Sequence, residues 1–200
     1  QNRPDSYYSN TPKQVGLDSD SFLGENDKKI NELLQYQVKL PPLNRIAILK
    51  LSQDNNWRFY SNDFNTITDS IVEGFITKLR ASKKVYDASY LPAMLVPEKR
   101  TVPTLREAAA RFQADLLLAY RTSCSSYNKY RFLDPNETKA YCSVEAMLMD
   151  VRSGVITKSV VSTQDFVARK EEQDINFSET VKKAELEAQA KSLLDIAEDV

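Results

Sequence analysis

The chain has 200 residues, 42% of them hydrophobic, which fits one ordinary domain with a substantial core plus a tail. Lysine and arginine number 27 against 28 aspartate and glutamate, and the net charge of -1 gives no general attraction to nucleic acid or to an anionic membrane. The longest apolar stretches, such as Ala114 to Tyr120, fall far short of the roughly 18 residues that a bilayer-spanning helix needs, which excludes an integral helical membrane protein over this sequence.

The chain opens at Gln1 rather than at Met, and is expected to be a processed form or to lack upstream residues. Residues 1–26 are rich in Asn, Asp, Ser, Pro and Gln, a composition that buries too little apolar surface to offset its ordering entropy. Two readings stay open for this segment: a polar tether behind an N-terminal lipid anchor, or an ordinary floppy terminus. The remainder, 27–200, reads as a single domain. Asp27 to Leu40 carries Ile30, Leu33, Leu34 and Val38 on the stripe of a short amphipathic helix, which Pro41-Pro42 must end. Arg45 to Leu51 is too uniformly apolar for a half-solvated strand and predicts one covered on both faces. Asp63 to Arg80 places Phe64, Ile67, Ile71, Phe75 and Leu79 at helical spacing, with Ser61, Asn62 or Asp63 as cap.

Lys84 to Ala88 predicts a short strand, followed by a connection punctuated by Pro92, Pro97 and Pro103. Thr104 to Phe112 predicts a helix that starts near Thr101 or Thr104. Three strands follow, Ala114 to Thr122, Lys139 to Val151 and Val155 to Ala168, joined by an Asp134-Pro135 turn and by Arg152-Ser153-Gly154. The chain closes with a helix over residues 176–200. The order β-α-β-α-β-β-β-α after the first helix implies an α+β fold, with a mixed sheet and helices packed on it.

Cys124 and Cys142 are the only cysteines. A hairpin folded at Leu133-Asp-Pro-Asn-Glu137 would bring them together on matching strand faces, and a bridge there would place the chain in an oxidising compartment. The alternative is a pair of buried free thiols.

Three strings, together with the element order, resemble bacterial envelope lipoproteins related to the curli assembly and transport component and to the lipoprotein activators of penicillin-binding proteins. They are Arg45-Ile-Ala-Ile-Leu49, Ala108-Ala-Ala-Arg-Phe-Gln-Ala-Asp-Leu-Leu-Leu118 and Met147-Leu-Met-Asp-Val-Arg-Ser-Gly-Val-Ile156. The resemblance spans roughly Arg45 to Val200. It implies an anticodon-binding-like sandwich facing the periplasm, used for protein contacts and often carried on a lipid anchor, with no catalytic residues to transfer. The chain departs from the pore-forming branch, because the Tyr120 to Tyr141 hairpin, with Ser123, Ser125, Ser126, Asn128, Lys129 and Asp134, lacks the alternating lipid-facing residues of a barrel strand.

The sequence contains no histidine, which removes Ser-His-Asp and Cys-His mechanisms and His-ligated zinc together. Four glycines, none in a phosphate-binding array, argue against a nucleotide enzyme. The acidic groups Asp63 with Asp69, Glu171 with Glu172, and Asp195 with Glu198 and Asp199 read as solvated faces, although a cleft around one of them would revive a carbohydrate-active or other ligand-processing reading. Of ten tyrosines, Tyr120, Tyr127, Tyr130 and Tyr141 gather around one hairpin beside Arg121, Lys129, Arg131 and Lys139. Aromatic and arginine side chains concentrate at recognition surfaces, so Tyr127, Tyr130 and Arg131 are the expected binding residues. The alternative packs these tyrosines on outer strand faces without a ligand. The expected role is therefore a non-catalytic lipoprotein domain of the Gram-negative periplasm or outer membrane. It would bind an envelope protein and no nucleic acid, would need no cofactor or metal, and would meet the membrane only where segment 1–26 follows an N-terminal lipid anchor.

Overall fold

The computed structural model describes residues 27–51, 62–129, 137–170 and 177–199. Their elements are α1 (Asp27–Gln35), β1 (Asn44–Lys50), α2 (Asn62–Arg80), β2 (Val85–Tyr90), α3 (Val102–Arg111), β3 (Leu116–Lys129), β4 (Glu137–Asp150), β5 (Ile156–Arg169) and α4 (Phe177–Asp199), with a short 3-10 turn at Ala93–Leu95. The sheet has five strands in the order β2-β1-β3-β4-β5. β1 runs parallel to β2 and to β3, and β3, β4 and β5 form an antiparallel meander. This is an α+β fold on a mixed sheet.

Alternation along the strands sorts the core into two layers. Even-numbered residues of the central strands, Ile46, Ile48, Leu116, Leu118, Val144 and Ala146, face α2 and α4, whose Phe75, Leu79, Leu193 and Ile196 fill that side. Odd-numbered residues, Ala47, Leu49, Leu117, Ala119 and Met149, face Leu105, Ala108 and Ala109 of α3. Ile46, Ala47 and Ile48 have no exposed surface, as a strand covered on both faces requires.

Local chemistry sets the element ends. Thr101 caps α3 through a capping box with Thr104, and Pro103 occupies the first turn, where its missing N–H costs nothing. The helix ends in a Schellman arrangement: Ala114 N–H donates to Ala109 O (3.0 Å), and Gln113 N–H to Ala110 O (2.9 Å). Gln113 takes the left-handed position, φ 58°, that glycine usually fills. Asp115 then fastens the start of β3 to both neighbours. Its carboxylate accepts from Arg45 N–H (2.9 Å) and pairs with Arg152 (2.8 Å). Beside it the Arg45 guanidinium lies 4.1 Å from the Phe112 ring centroid and pairs with Asp87 at 3.0 Å. Partial burial would raise the Asp87 pKa, but hydrogen bonds from Arg45 and Ser89 and the charges of Arg80 and Arg45 outweigh it and hold the carboxyl below its ordinary value.

The β4–β5 turn rests on Asp150 and Gly154. Asp150 accepts from Ser153 N–H (3.1 Å), and its carbonyl accepts from Gly154 N–H (2.7 Å). Gly154 has φ +79°, and a Cβ there would lie 3.0 Å from Arg106 Cδ and 3.1 Å from Val102 Cγ1. Gly154→Ala therefore combines a left-handed backbone cost of about 1–2 kcal/mol with displacement of Arg106, which donates to the Val151 carbonyl at 2.9 Å. The expected result in thermal melts is a midpoint lowered by roughly 2–8 °C. An unchanged midpoint would mean that the turn relaxes freely.

The expected first helix needs correction. The first helix stops at Gln35 instead of reaching Leu40, and residues 36–41 run on without helical structure into Pro42. α1 also does not pack on the sheet: its stripe is open, with Ile30 48%, Leu33 39% and Leu34 79% exposed. Tyr120, one of the four tyrosines around the hairpin, takes the core face that the two-residue period gives it together with Leu116 and Leu118. It is 2% exposed, and its hydroxyl bonds that of Tyr90 at 2.7 Å inside the larger core. Burial pushes the Tyr90 phenol up despite that bond.

Candidate functional site

The candidate site arises because β3, β4 and β5 outrun their helix cover. β1 pairs with β3 only from Leu116 to Tyr120, and the buried odd-side layer under α3 ends at Ala119 and Met149. Beyond that point the odd-side residues of β3, namely Arg121, Ser123, Ser125 and Tyr127, are exposed, while the even side of β4 remains buried. Along β4 this gives alternation: Thr138, Ala140, Cys142 and Val144 have no exposed surface, Lys139 and Ser143 between them are half-buried, and Tyr141 and Glu145 are open.

The register puts Tyr127 opposite Lys139, and Ser125 opposite Tyr141. The Tyr127 and Tyr141 rings meet edge to face, centroids 5.8 Å apart and planes at 80°. Lys139 Nζ lies 4.9 Å from the Tyr141 ring centroid and 3.1 Å from Asp165 Oδ2, contributed by β5. Hydrogen bonding to Tyr141 and then to Asp165 raises the Lys139 pKa, so the ammonium stays charged through the neutral range. Ser125, Tyr127, Lys139 and Tyr141 line an open hollow of about 550 Å³. Further along, Arg121 pairs with Glu145 across the same face, and Thr163 Oγ1 donates to Ser143 Oγ at 3.2 Å. The result is an aromatic pair fixed beside a held cation on a rigid sheet, suited to stacking and hydrogen bonding with a flat partner surface.

Cys124 and Cys142 stand directly opposite each other and form a disulfide, Cα atoms 4.1 Å apart. The bridge lies on the opposite side of the sheet from the tyrosines, where Cys142 is fully buried in the layer beneath α4. It staples the two strands that carry the site.

Of the expected binding residues, Tyr127 is 61% exposed at this face. Tyr130 and Arg131 lie outside the described residues. Asp165 escaped sequence reasoning, because only the β4–β5 register brings it beside Lys139. Of the acidic groups, Asp195 accepts from Ser162 at 2.6 Å, Glu198 pairs with Lys78 at 2.8 Å, and Asp69 and Asp199 are exposed. Glu171, Glu172 and the Asp63 side chain lie outside the described residues. Among the described residues no three His, Cys, Asp or Glu side chains come together as a metal-binding group, and no helix is long and apolar enough to cross a membrane.

No family model matches the chain, and no curated protein matches it. Among solved structures the chain is similar to a PelC dodecamer from Paraburkholderia phytofirmans (13% identity, TM-score 0.40, covering 81% of this chain and 92% of that one). A minor lipoprotein from Acinetobacter baumannii is similar at 10% identity and TM-score 0.33, covering 80% and 89%. The LpoB C-terminal domain from Salmonella enterica is similar at 12% identity and TM-score 0.31, covering 68% and 92%. At these scores the likeness carries no argument, and both the fold and the chemistry of the site are read from this chain's own residues.

Proposed function

We propose that this chain is the non-catalytic, partner-binding domain of a Gram-negative envelope lipoprotein, an anticodon-binding-like sandwich carried on the polar segment 1–26. The observation that carries this reading is the exposed Tyr127–Tyr141 pair beside Lys139, on a sheet face that α3 leaves uncovered. Rigid aromatic rings next to a fixed cation bury large area for little entropy, the signature of a recognition surface. The Cys124–Cys142 bridge supports an oxidising compartment, where such a domain would meet an envelope protein. A hydrophobic signal ending in a small-residue box and a Cys directly before Gln1 would support the lipid anchor, and any other upstream sequence would remove it.

Tyr127→Ala combined with Tyr130→Ala and Arg131→Ala tests the surface. The triple variant should fold like the parent yet weaken capture of the envelope partner by at least about tenfold, or about 1.4 kcal/mol. Tyr141→Ala, which removes the ring that Tyr127 meets, should act in the same direction. Full capture by folded variants would send the search to another surface.

A further inference from the structure

The outer edge of β5 carries a second surface. Among the described residues no strand pairs with it, although β5 runs from Ile156 to Arg169. Sheet edges are ordinarily blunted by charge, proline or a bulge, yet Ser159 to Gln164 reads Ser-Val-Val-Ser-Thr-Gln, with none of the first two, and the β4–β5 irregularity lies outside it at Leu148/Met149. Val161 and Val167 stand 62% and 51% exposed on the helix-free face.

Backbone alternation shows which groups this edge presents. The 4.1 Å Cα spacing of Cys124 and Cys142 is that of a non-hydrogen-bonded pair, so the Cys142 backbone turns the other way and bonds its β5 partner Gln164. Odd-numbered β5 residues then point their N–H and C=O groups outward. The Asp165 carbonyl agrees, since it is within reach of Lys191 Nζ on α4, which donates to it at 3.4 Å. The edge therefore offers the backbones of Ser159, Val161, Thr163 and Val167, and that of Asp165 once the Lys191 ammonium gives up its carbonyl.

We propose that this edge pairs with β5 of a second copy of the chain, antiparallel about a two-fold axis at Gln164. Register selects the occupant. An axis at Gln164 sets each Val161 opposite the other copy's Val167, so both exposed valines gain apolar partners, with Asp165 facing Thr163 and Arg169 facing Ser159. An axis at Asp165 opposes two carboxylates, one at Thr163 sets Val161 against Asp165, and one at Ser162 leaves both valines against threonine. Only the Gln164 axis matches the valines without setting like charges within the paired stretch Ser159 to Arg169. The two sheets become one, and their uncovered faces, each with its Tyr127–Tyr141 pair, lie on the same side.

The test uses the full chain with its native bridge intact. Mild oxidation of Q164C should give a covalent dimer, whereas T163C and D165C, displaced from the axis, should cross-link far less. V161K should weaken self-association by at least about tenfold in sedimentation experiments, and V161K/V167E, which restores an opposite-charge match across the axis, should recover it. Amide exchange at Val161, Thr163, Asp165 and Val167 should slow as protein concentration rises. A monomer at every concentration, equal cross-linking by all three cysteine variants, or exchange protection independent of concentration, as when the chain's own residues cover the edge, overturns the proposal. None of these readouts involves the envelope partner, so they stand or fall apart from the Tyr127 surface.

Discussion

Phe75→Ala should lower unfolding stability by about 3–5 kcal/mol, a large share of the roughly 5–15 kcal/mol that holds a typical domain together. Phe75 is 1% exposed and joins α2 to the even-side core. Its ring meets Tyr120 edge to face, centroids 6.0 Å apart, and Tyr120 is in turn fixed by its bond to Tyr90. Truncation removes the transfer energy of the ring and leaves a void that the tethered Tyr120 cannot swing into. Both effects have the same sign. Urea unfolding should show a lower midpoint with an unchanged slope, and Phe75→Leu, which fills most of the space, should cost much less. A loss below about 1 kcal/mol would mean that α2 does not dock on the sheet as described.

The second large effect comes from the bridge. Cys124→Ala/Cys142→Ala should lower stability by about 3 kcal/mol and the melting midpoint by roughly 6–12 °C. The cysteines are separated by 18 positions, and their bond removes the freedom of that loop from the unfolded chain. Loss of the fully buried Cys142 sulfur adds a small packing cost in the same direction. Reduced wild-type protein should melt close to the double variant, which separates the bond from the side chains. If both thiols alkylate freely in protein purified without reductant, the bridge and the inference of an oxidising compartment fail together.

The element order was legible because each piece carries its own signal. Ile46 to Leu49 reads as an interior strand, Thr101 and Pro103 mark the start of a helix, and Gly154 marks a turn that the structure closes with φ +79°. The bridge was legible because a two-residue period puts Cys124 on the face of Leu116, Leu118 and Tyr120. The length of β3 was not. Its apolar run fades at Thr122, and Ser123 to Lys129 are held in the strand by pairing with β4, which local composition does not encode. Tyr120 clusters in sequence with the hairpin tyrosines, yet the same period already sets it on the even side with Leu116 and Leu118, where α2 buries it. Asp165 joins the site through register across three strands, and Gln113 adopts a glycine-like conformation that no glycine announces. The open stripe of α1 shows that amphipathic spacing fixes the conformation of a helix but not what it packs against.

The way β3 divides at Tyr120 has a consequence for how such a domain can diversify. Up to that residue each side chain is wedged between layers, and an exchange there disturbs the whole molecule. Past it, Ser123, Ser125, Tyr127, Lys139 and Tyr141 belong to neither core, and the bridge behind them holds the backbone whatever they become. Specificity and foldability are thus written at separate positions, so the hairpin face can acquire a new partner by substitution while the scaffold stays untouched.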